Sequence, residues 1–491
     1  MPKLPEPIII NAPRQGIAPS PYTGYADVRN LDIFTTPGVA KLSNLMAKES
    51  ASVVDAQVLW MVRSPGTVAN FYAVDENGSV YSSTDSGDTW TELSDRTGAG
   101  QGAVIWKDYL FVATDTGLDV YGPISGGATW TTGWQTIDSD TIWHPMIISK
   151  NDGKIYGGAG RYIFSIGENS GSNFAPGTSA TYTFTQQALD LPEDYRIKSL
   201  EELRDKLMIG TWVGTNIYDF RIADIFPWDR VSPSFNKPLQ IKENGANALL
   251  TIGNKMYIFA GTGGAVYATD GFSVQQIAQI PNSIADLDGG KHLEPFPGAV
   301  ANFKGRPFFG VSGQGTNATG GVGVYSLMET SRGTILVNEH LISTGNSGAS
   351  NVAKVSALLP VTRDQLLVGW RDNATYGVDM TTVASRATSY SGFFDSPLYS
   401  VGTNLEKRQF TKMEIQMAKD LATNEGIKIS YRVNLTDSFT AFATTYDFTT
   451  LGAVNTHTET KIPIPATEFI QLEVALTGTT TTPHFVRVIL T

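Results

Sequence analysis

Phe71-Tyr-Ala-Val-Asp-Glu-Asn-Gly-Ser-Val-Tyr81 decides how the rest of the chain is read. A β-rich run ends in small residues, a turn with Asn77-Gly78 follows, and a second run ends on an aromatic ring. Asn-Gly tolerates the positive φ that a tight hairpin needs. The same plan returns in Leu110-Phe-Val-Ala-Thr-Asp-Thr-Gly-Leu-Asp-Val-Tyr121 and in Lys154-Ile-Tyr-Gly-Gly-Ala-Gly-Arg-Tyr-Ile-Phe164. It returns again in Leu207-Met-Ile-Gly-Thr-Trp-Val-Gly-Thr-Asn-Ile-Tyr218 and Met256-Tyr-Ile-Phe-Ala-Gly-Thr-Gly-Gly-Ala-Val-Tyr267. Looser copies run from Phe308 to Tyr325 and from Leu366 to Val378. The copies are spaced by roughly 40 to 58 residues, the period of a four-stranded propeller blade. A lone blade cannot bury both faces, so it stacks on its neighbours about an axis. The expectation is an all-β protein with a β-propeller of about seven blades, six or eight also being compatible with the spacing.

The composition agrees. The chain has 491 residues, 41% of them hydrophobic and only 17% charged, with 49 glycines. That mixture suits many short strands joined by tight turns, and the length calls for more than one unit. Ser199 to Leu207 has a helical look, but Arg204-Asp205-Lys206 falls where a hairpin must turn, so strand–turn–strand is expected.

Outside the repeats the texture changes. Residues 1–52 carry Pro2, Pro5, Pro7, Pro13, Pro19 and Pro21, which favour extended backbone. They read as an N-terminal arm, either disordered or laid on a neighbouring subunit, with Ile8, Ile9, Ile10, Tyr22 and Tyr25 as candidate contacts. Residues 53–390 form the propeller. Residues 391–491 alternate apolar and polar positions, as in Phe410-Thr-Lys-Met-Glu-Ile-Gln-Met417 and Phe469-Ile-Gln-Leu-Glu-Val474. Alternation marks half-buried antiparallel strands and predicts a C-terminal β-sandwich-like module.

The net charge of −11 argues against a dedicated nucleic-acid binder, which needs an excess of Lys and Arg. There is no Cys, hence no disulfide and no thiolate metal site. With no signal-peptide pattern at Met1 to Asn11, synthesis in a reducing cytoplasm is expected. No apolar run approaches the roughly 20 residues of a membrane-spanning helix.

Ser83-Thr-Asp85-Ser-Gly87-Asp-Thr89-Trp90 matches the Asp-box pattern. Its Asp binds the backbone of its own turn, its Gly takes the strained φ, and its Trp packs between sheets. The reading is structural. Ser125-Gly-Gly-Ala-Thr-Trp130 is a degenerate relative lacking the Asp. A sialidase-like glycosidase would need converging arginines, a Tyr nucleophile and carboxylates; Arg63, Arg161, Arg221, Arg306 and Arg371 lie at blade positions, but no spacing draws them together. His144, His292, His340, His457 and His484 show no ligand spacing, which argues against zinc. Asp286-Leu-Asp288-Gly289-Gly290 resembles a calcium loop only faintly, because the required Glu position is Pro297. Trp106, Trp130, Trp134 and Trp143 could stack on sugars, although filling the space between blades is their commoner use. No cofactor, metal or catalytic residue is expected.

The proline-rich opening followed by Val28-Arg-Asn-Leu-Asp-Ile-Phe-Thr-Thr-Pro-Gly-Val-Ala-Lys-Leu-Ser43 resembles the opening of tailed-bacteriophage virion proteins. The segment from Phe410 to Arg432 is similar to modules of phage tail proteins. The layout of the whole chain, arm then propeller then sandwich, follows theirs. The resemblance implies a non-enzymatic structural component of the virion tail: a nozzle, hub or baseplate protein, made in the host bacterial cytoplasm. It implies a homo-oligomeric ring in contact with other tail or portal-proximal proteins. Genomic DNA would pass an acidic lumen without specific binding, since like charges repel. A host-glycan-binding tail protein, and behind it a propeller glycosidase, are the alternatives.

Overall fold

The computed structural model describes residues 6–14, 16–18, 24–49, 53–65, 70–95, 98–138, 143–213, 222–280, 292–314, 322–331, 333–344, 353–403, 406–442 and 445–491. Tyr22, Arg221 and the stretch from Asp286 to Gly290 lie outside them. Strand dominates; the described helices are the single turns Ser179–Thr181 and Phe448–Leu451. The chain divides into two compact units, one of residues 47–324 and 342–381, the other of 1–46, 325–341 and 382–491.

The first unit is a β-propeller. Five four-stranded antiparallel sheets follow each other along the chain. Their innermost strands are Val58–Arg63, Gly100–Trp106, Met146–Ile148, Tyr195–Leu203 and Ala246–Ile252. The sixth blade contributes Val300–Phe303 and Arg306–Gln314 to this unit. In the seventh, Lys354–Pro360, Leu366–Asp372 and Thr375–Thr381 are completed by Met46–Lys48 from far upstream. Each innermost strand packs on the next, and Lys354–Pro360 packs back on Val58–Arg63, so the ring closes at seven. The borrowed strand ties the last blade to the start of the unit, and the Glu49 amide continues the ladder to the Val378 carbonyl at 2.9 Å.

The repeats build the blades as their chemistry dictates. Asn77-Gly78 makes the turn between Phe71–Asp75 and Ser79–Ser83, with Gly78 at φ 91°. The buried Asp75 carboxylate accepts from the Asn77 and Ser79 amides at 2.9 and 2.8 Å, satisfying donors that the turn would otherwise strand. Arg204 takes a positive φ between Tyr195–Leu203 and Lys206–Val213, so the helical look of that segment yields to the hairpin.

The second unit is a β-sandwich-like module assembled from three stretches of chain. One sheet has the order Ile8–Asn11, Phe485–Leu490, Met413–Met417, Thr456–Glu459. The other contains, in order, Gly333–His340, Asp27–Arg29, Gly392–Asp395, Phe469–Thr477 and Gly426–Arg432. Phe394 of the second sheet meets Phe485 of the first at 5.4 Å between ring centroids.

Two sequence expectations change here. Residues 1–52 are not a free-standing arm: Ile8–Asn11 pairs antiparallel with Phe485–Leu490, and Asp27–Arg29 pairs with Gly392–Asp395. Strand alternation turns Ile8 and Ile10 into this chain's own core and leaves Ile9 exposed. Tyr25 is also buried, its ring edge-on to Phe394 and its hydroxyl donating to the Asn11 carbonyl at 2.6 Å. Of the five candidate arm contacts, Ile9 is thus the described one left at the surface. The second change concerns the boundaries 53–390 and 391–491: residues 325–341 and 382–390 belong to the sandwich unit, because strands of both units carry the same period of two.

Candidate functional site

The Asp-box forms the turn between the third and fourth strands of blade 1. Ser83 Oγ donates to Asp85 Oδ1 at 2.8 Å and accepts from the Gly87 amide at 2.9 Å. Asp85 also accepts from the Thr89 amide at 2.9 Å and from its hydroxyl at 2.5 Å. Burial nudges the Asp85 carboxyl upward, but the Thr89 and Ser83 hydrogen bonds outweigh it and hold the group below the usual carboxylate range. Gly87 sits at φ 97°, where a side chain would be strained and would run into Leu367 of blade 7. Trp90 Nε1 donates to the Gly87 carbonyl at 3.0 Å, and its ring is buried with Val58, Phe71, Leu367 and Val378. The motif therefore clips the seam between the first and last blades. In the degenerate copy, Asp108 from the neighbouring turn supplies the missing carboxylate, accepting from the Ser125 hydroxyl at 2.5 Å.

The four described arginines weighed for a glycosidase do not gather. Arg161 pairs with Asp190 at 3.2 Å and Arg371 with Glu76 at 3.4 Å. Arg63 donates to the Val361 carbonyl at 3.1 Å, and Arg306 lies over the Phe308 ring. The histidines are equally dispersed: His144 Nδ1 lies 2.9 Å from the Gly158 carbonyl, His340 Nδ1 3.0 Å from that of Asn44, and His457 beside Tyr446. No cluster of metal-ligating side chains occurs among the described residues. Trp106, Trp130 and Trp134 pack against Phe111, Tyr121, Phe174 and Tyr182, as space-filling rings do.

Trp143 is different. It precedes blade 3 and meets Phe296 edge-on at 5.4 Å. Phe296 belongs to the segment from Leu293 to Ala299, which starts in His292–Glu294, a strand paired with Arg306–Gln314, leaves it before Val300–Phe303 pairs with the same strand of blade 6, and touches widely separated blades. The Leu293 amide donates to Thr262 of blade 5 at 3.0 Å. Glu294 forms an ion pair with Lys198 of blade 4. Phe296 and Ala299 pack with Leu59 and Trp60 of blade 1. The Gly298 carbonyl accepts from the Leu358 amide of blade 7 at 2.9 Å. In a closed ring of seven, blades 1 and 4 face each other across the middle, so a segment that reaches both lies over the axis. A Cβ on Gly298 would collide with the Leu59 carbonyl, which makes glycine necessary at the crossing. One end of the propeller axis is therefore floored by its own chain.

The floor is charged as well as aromatic. Lys198 owes its place to a bulge between Ile197 and Ser199, which aims it at Glu294; both side chains are largely buried. Lys354, the first residue of blade 7, holds its amine 5.7 Å from the Phe296 ring centroid. Burial pushes the Lys354 ammonium down, and Arg371 adds to the effect against the pull of Glu76 and Glu294. Sequence inspection missed this floor, because Leu293 to Ala299 has no repeat signature and its partners are scattered from Leu59 to Leu358. The available signal was Trp143, an aromatic residue outside the blade pattern.

A second concentration of charge lies in the sandwich unit. Asp27, Asp395 and Glu473 stand directly opposite one another on three adjacent strands. Arg29 pairs with Asp27 at 2.6 Å. Burial, reinforced by Asp27 and Glu473 against Arg432 and Arg29, pushes the Asp395 carboxyl up to about 8. Asp395 Oδ1 is buried without a hydrogen-bond partner among the described residues.

No known protein family matches the chain, and no curated protein matches it. Solved structures do resemble it. The RRP9 WD40 repeats align with 12% identity over 68% of this chain and 98% of theirs, at a TM-score of 0.45. YCF48 bound to D1 peptide aligns with 9% identity over 72% and 96%, at 0.42. An exo-beta-1,3-galactanase from Phanerochaete chrysosporium aligns with 9% identity over 92% and 100%, at 0.33. Such values transfer neither an activity nor a partner.

Proposed function

We propose that the chain is a structural, non-enzymatic component of a tailed-bacteriophage virion, a nozzle, hub or baseplate protein that forms a ring with identical copies. The sequence resemblance brings the idea; the observation that supports a scaffold over an enzyme is the floored axis. In a propeller, convergent chemistry belongs where the inner strands meet. Here the crossing segment fills that place, and the charges around it are committed to each other as Lys198–Glu294 and Arg371–Glu76. A floored axis also keeps DNA out of the individual propeller, so any passage of the genome runs through the lumen between copies. The net charge of −11 suits such a lumen, because phosphates slide past carboxylates without being gripped.

The solution mass of the purified chain, with negative-stain images of the same sample, tests the reading. Rings of defined symmetry, alone or on addition of tail proteins, are expected. A chain that stays monomeric with every tail component and hydrolyses a fluorogenic glycoside refutes it. Host-glycan binding is the second reading, favoured by the half-buried Trp143, an aromatic residue outside the blade pattern.

A further inference from the structure

The end of the propeller away from the crossing segment is basic. The crossing segment bonds Thr262, in the turn between the second and third strands of blade 5. The turns that leave each innermost strand therefore lie at the opposite end. At or beside them stand Lys107 in blade 2, Lys150 and Lys154 in blade 3, and Arg204 and Lys206 in blade 4. Lys255 follows in blade 5, Lys304 and Arg306 in blade 6, and Arg363 in blade 7. The carboxylates of the same turns, Asp108, Asp152, Asp205 and Asp364, are fewer. Closure of the ring gathers these cations from turns far apart in the sequence, so no basic run announces them.

The turns joining third to fourth strands lie at this end too, and in blades 4 and 5 they carry bare apolar side chains. Val231 is 89% exposed and Phe272 76%, the two highest values among the described large hydrophobics. Both flank the Arg204-Asp205 turn. The Arg204 guanidinium lies 5.1 Å from the Phe272 ring centroid, and Arg230, next to Val231, donates to the Asp205 carbonyl. Neither tip is loose. Asp229 accepts from the Val231 and Ser232 amides at 2.9 and 2.7 Å, and Asp270 from the Phe272 amide at 3.1 Å. These bonds fix each turn with its apolar side chain outward, and the amide dipoles meet part of each carboxylate's charge.

Fixed apolar tips set among cations suit a surface that is anionic outside and apolar beneath. A nucleic-acid strand offers the charge but nothing apolar for Val231. The net charge of −11 does not oppose such contact, because salt screens charges beyond about 8 Å and a flat surface feels the end that faces it. The acidic Asp85 and Asp88 belong to blade 1, across the ring from blades 4 and 5.

We propose that the turns of blades 3 to 6 at this end form a peripheral docking surface for an anionic phospholipid bilayer. Val231 and Phe272 enter the headgroup layer, and Lys150, Arg204, Lys206 and Lys304 meet lipid phosphates. The surface belongs to the propeller, and it stands or falls separately from assembly into a virion.

Co-sedimentation of the full chain with large unilamellar vesicles tests it. Binding is expected to phosphatidylcholine vesicles containing about 30% phosphatidylglycerol, and should be at least about tenfold weaker on pure phosphatidylcholine. Phe272→Ser combined with Val231→Ser should weaken it about tenfold or more, as should Lys150→Glu combined with Lys206→Glu. The chain has no Cys, so Phe272→Cys takes a single polarity-sensitive dye. Its emission should shift to the blue on anionic vesicles, while a dye on Glu193→Cys, at the crossing-segment end, should not respond. No binding to either vesicle, equal binding to both, unchanged affinity in either double variant, or a blue shift at Glu193→Cys overturns the proposal. Tighter binding of oligothymidylate or polyglutamate that depends on Lys150 and Lys206 also overturns it, in favour of a nucleic-acid or acidic-protein site.

Discussion

Replacing Asp395 by Asn should stabilise the sandwich unit at neutral and alkaline pH while doing little in acid. Asp395 faces Asp27 on one side and Glu473 on the other, and its buried Oδ1 lacks a partner. Arg29 is already engaged by Asp27, and Arg432 by Gln471 at 2.7 Å. Burial, with these two carboxylates, holds the Asp395 carboxyl at about 8. In the unfolded chain the same group ionises near pH ~4. Between those values the folded state keeps a proton that the unfolded state has released, so stability falls as pH rises from about 4 to about 8. Each pH unit of that interval is worth about 1.4 kcal/mol, which gives a ceiling of about 4 kcal/mol by pH 7. Rearrangement of Arg29 and Arg432 toward the ionised carboxyl reduces it, so about 2–4 kcal/mol is the expected range. Asn fills the same space without ionising. The assay is urea unfolding at pH 4.5 and pH 8.5. All nine tryptophans lie in the propeller unit, so tryptophan fluorescence follows that unit while far-UV circular dichroism follows both. Asp395→Asn should raise the midpoint of the transition invisible to fluorescence at pH 8.5 and leave it nearly unchanged at pH 4.5. An equal gain at both pH values, or none at pH 8.5, would refute the account of the carboxylate row.

Other outcomes follow from the propeller. Trp90→Ala opens the seam between blades 1 and 7 and should cost about 3–5 kcal/mol, read as an earlier fluorescence transition. Asp85→Ala should be destabilising at pH 7, with the difference from wild type shrinking as pH falls through the depressed Asp85 carboxyl value, because protonation removes the same bonds. Lys198→Ala removes the ion pair to the largely buried Glu294 carboxylate and should cost about 3 kcal/mol, whereas Lys198→Met combined with Glu294→Gln should recover most of it in a double-mutant cycle. Gly298→Val forces the crossing segment off Leu59; faster proteolysis near residues 293–299 with an intact ring is the expected result.

The propeller was legible because its signal is repeated. Asn77-Gly78, Asp115-Thr-Gly117 and the aromatic residues that close each second run state the same hairpin many times, and errors in one copy are corrected by the next. The count of seven needed the structure, since blade 7 is finished by Met46–Lys48, a piece with no blade signature of its own. The sandwich was legible as alternating strands, but its membership was not. Ile8–Asn11 is recognisable as a strand only beside Phe485–Leu490, and the prolines around it argue for an arm with equal force. The Asp-box carried its geometry in its sequence, being entirely local. The floor is the opposite case: Lys198, Glu294, Phe296 and Lys354 are brought together by closure of the ring, and no local pattern reports a contact made by closure.

The first sheet of the sandwich joins strands that lie far apart in the sequence. Phe485–Leu490 sits between Ile8–Asn11 and Met413–Met417, so Ile8 and Ile10 find their partner strand only across nearly the whole length described. Pairings of such separation are slow to form, because the closure of a long loop precedes any contact that rewards it. Until Phe485–Leu490 docks, Ile8–Asn11 and Met413–Met417 each present an unpaired strand edge, the kind of surface on which chains aggregate.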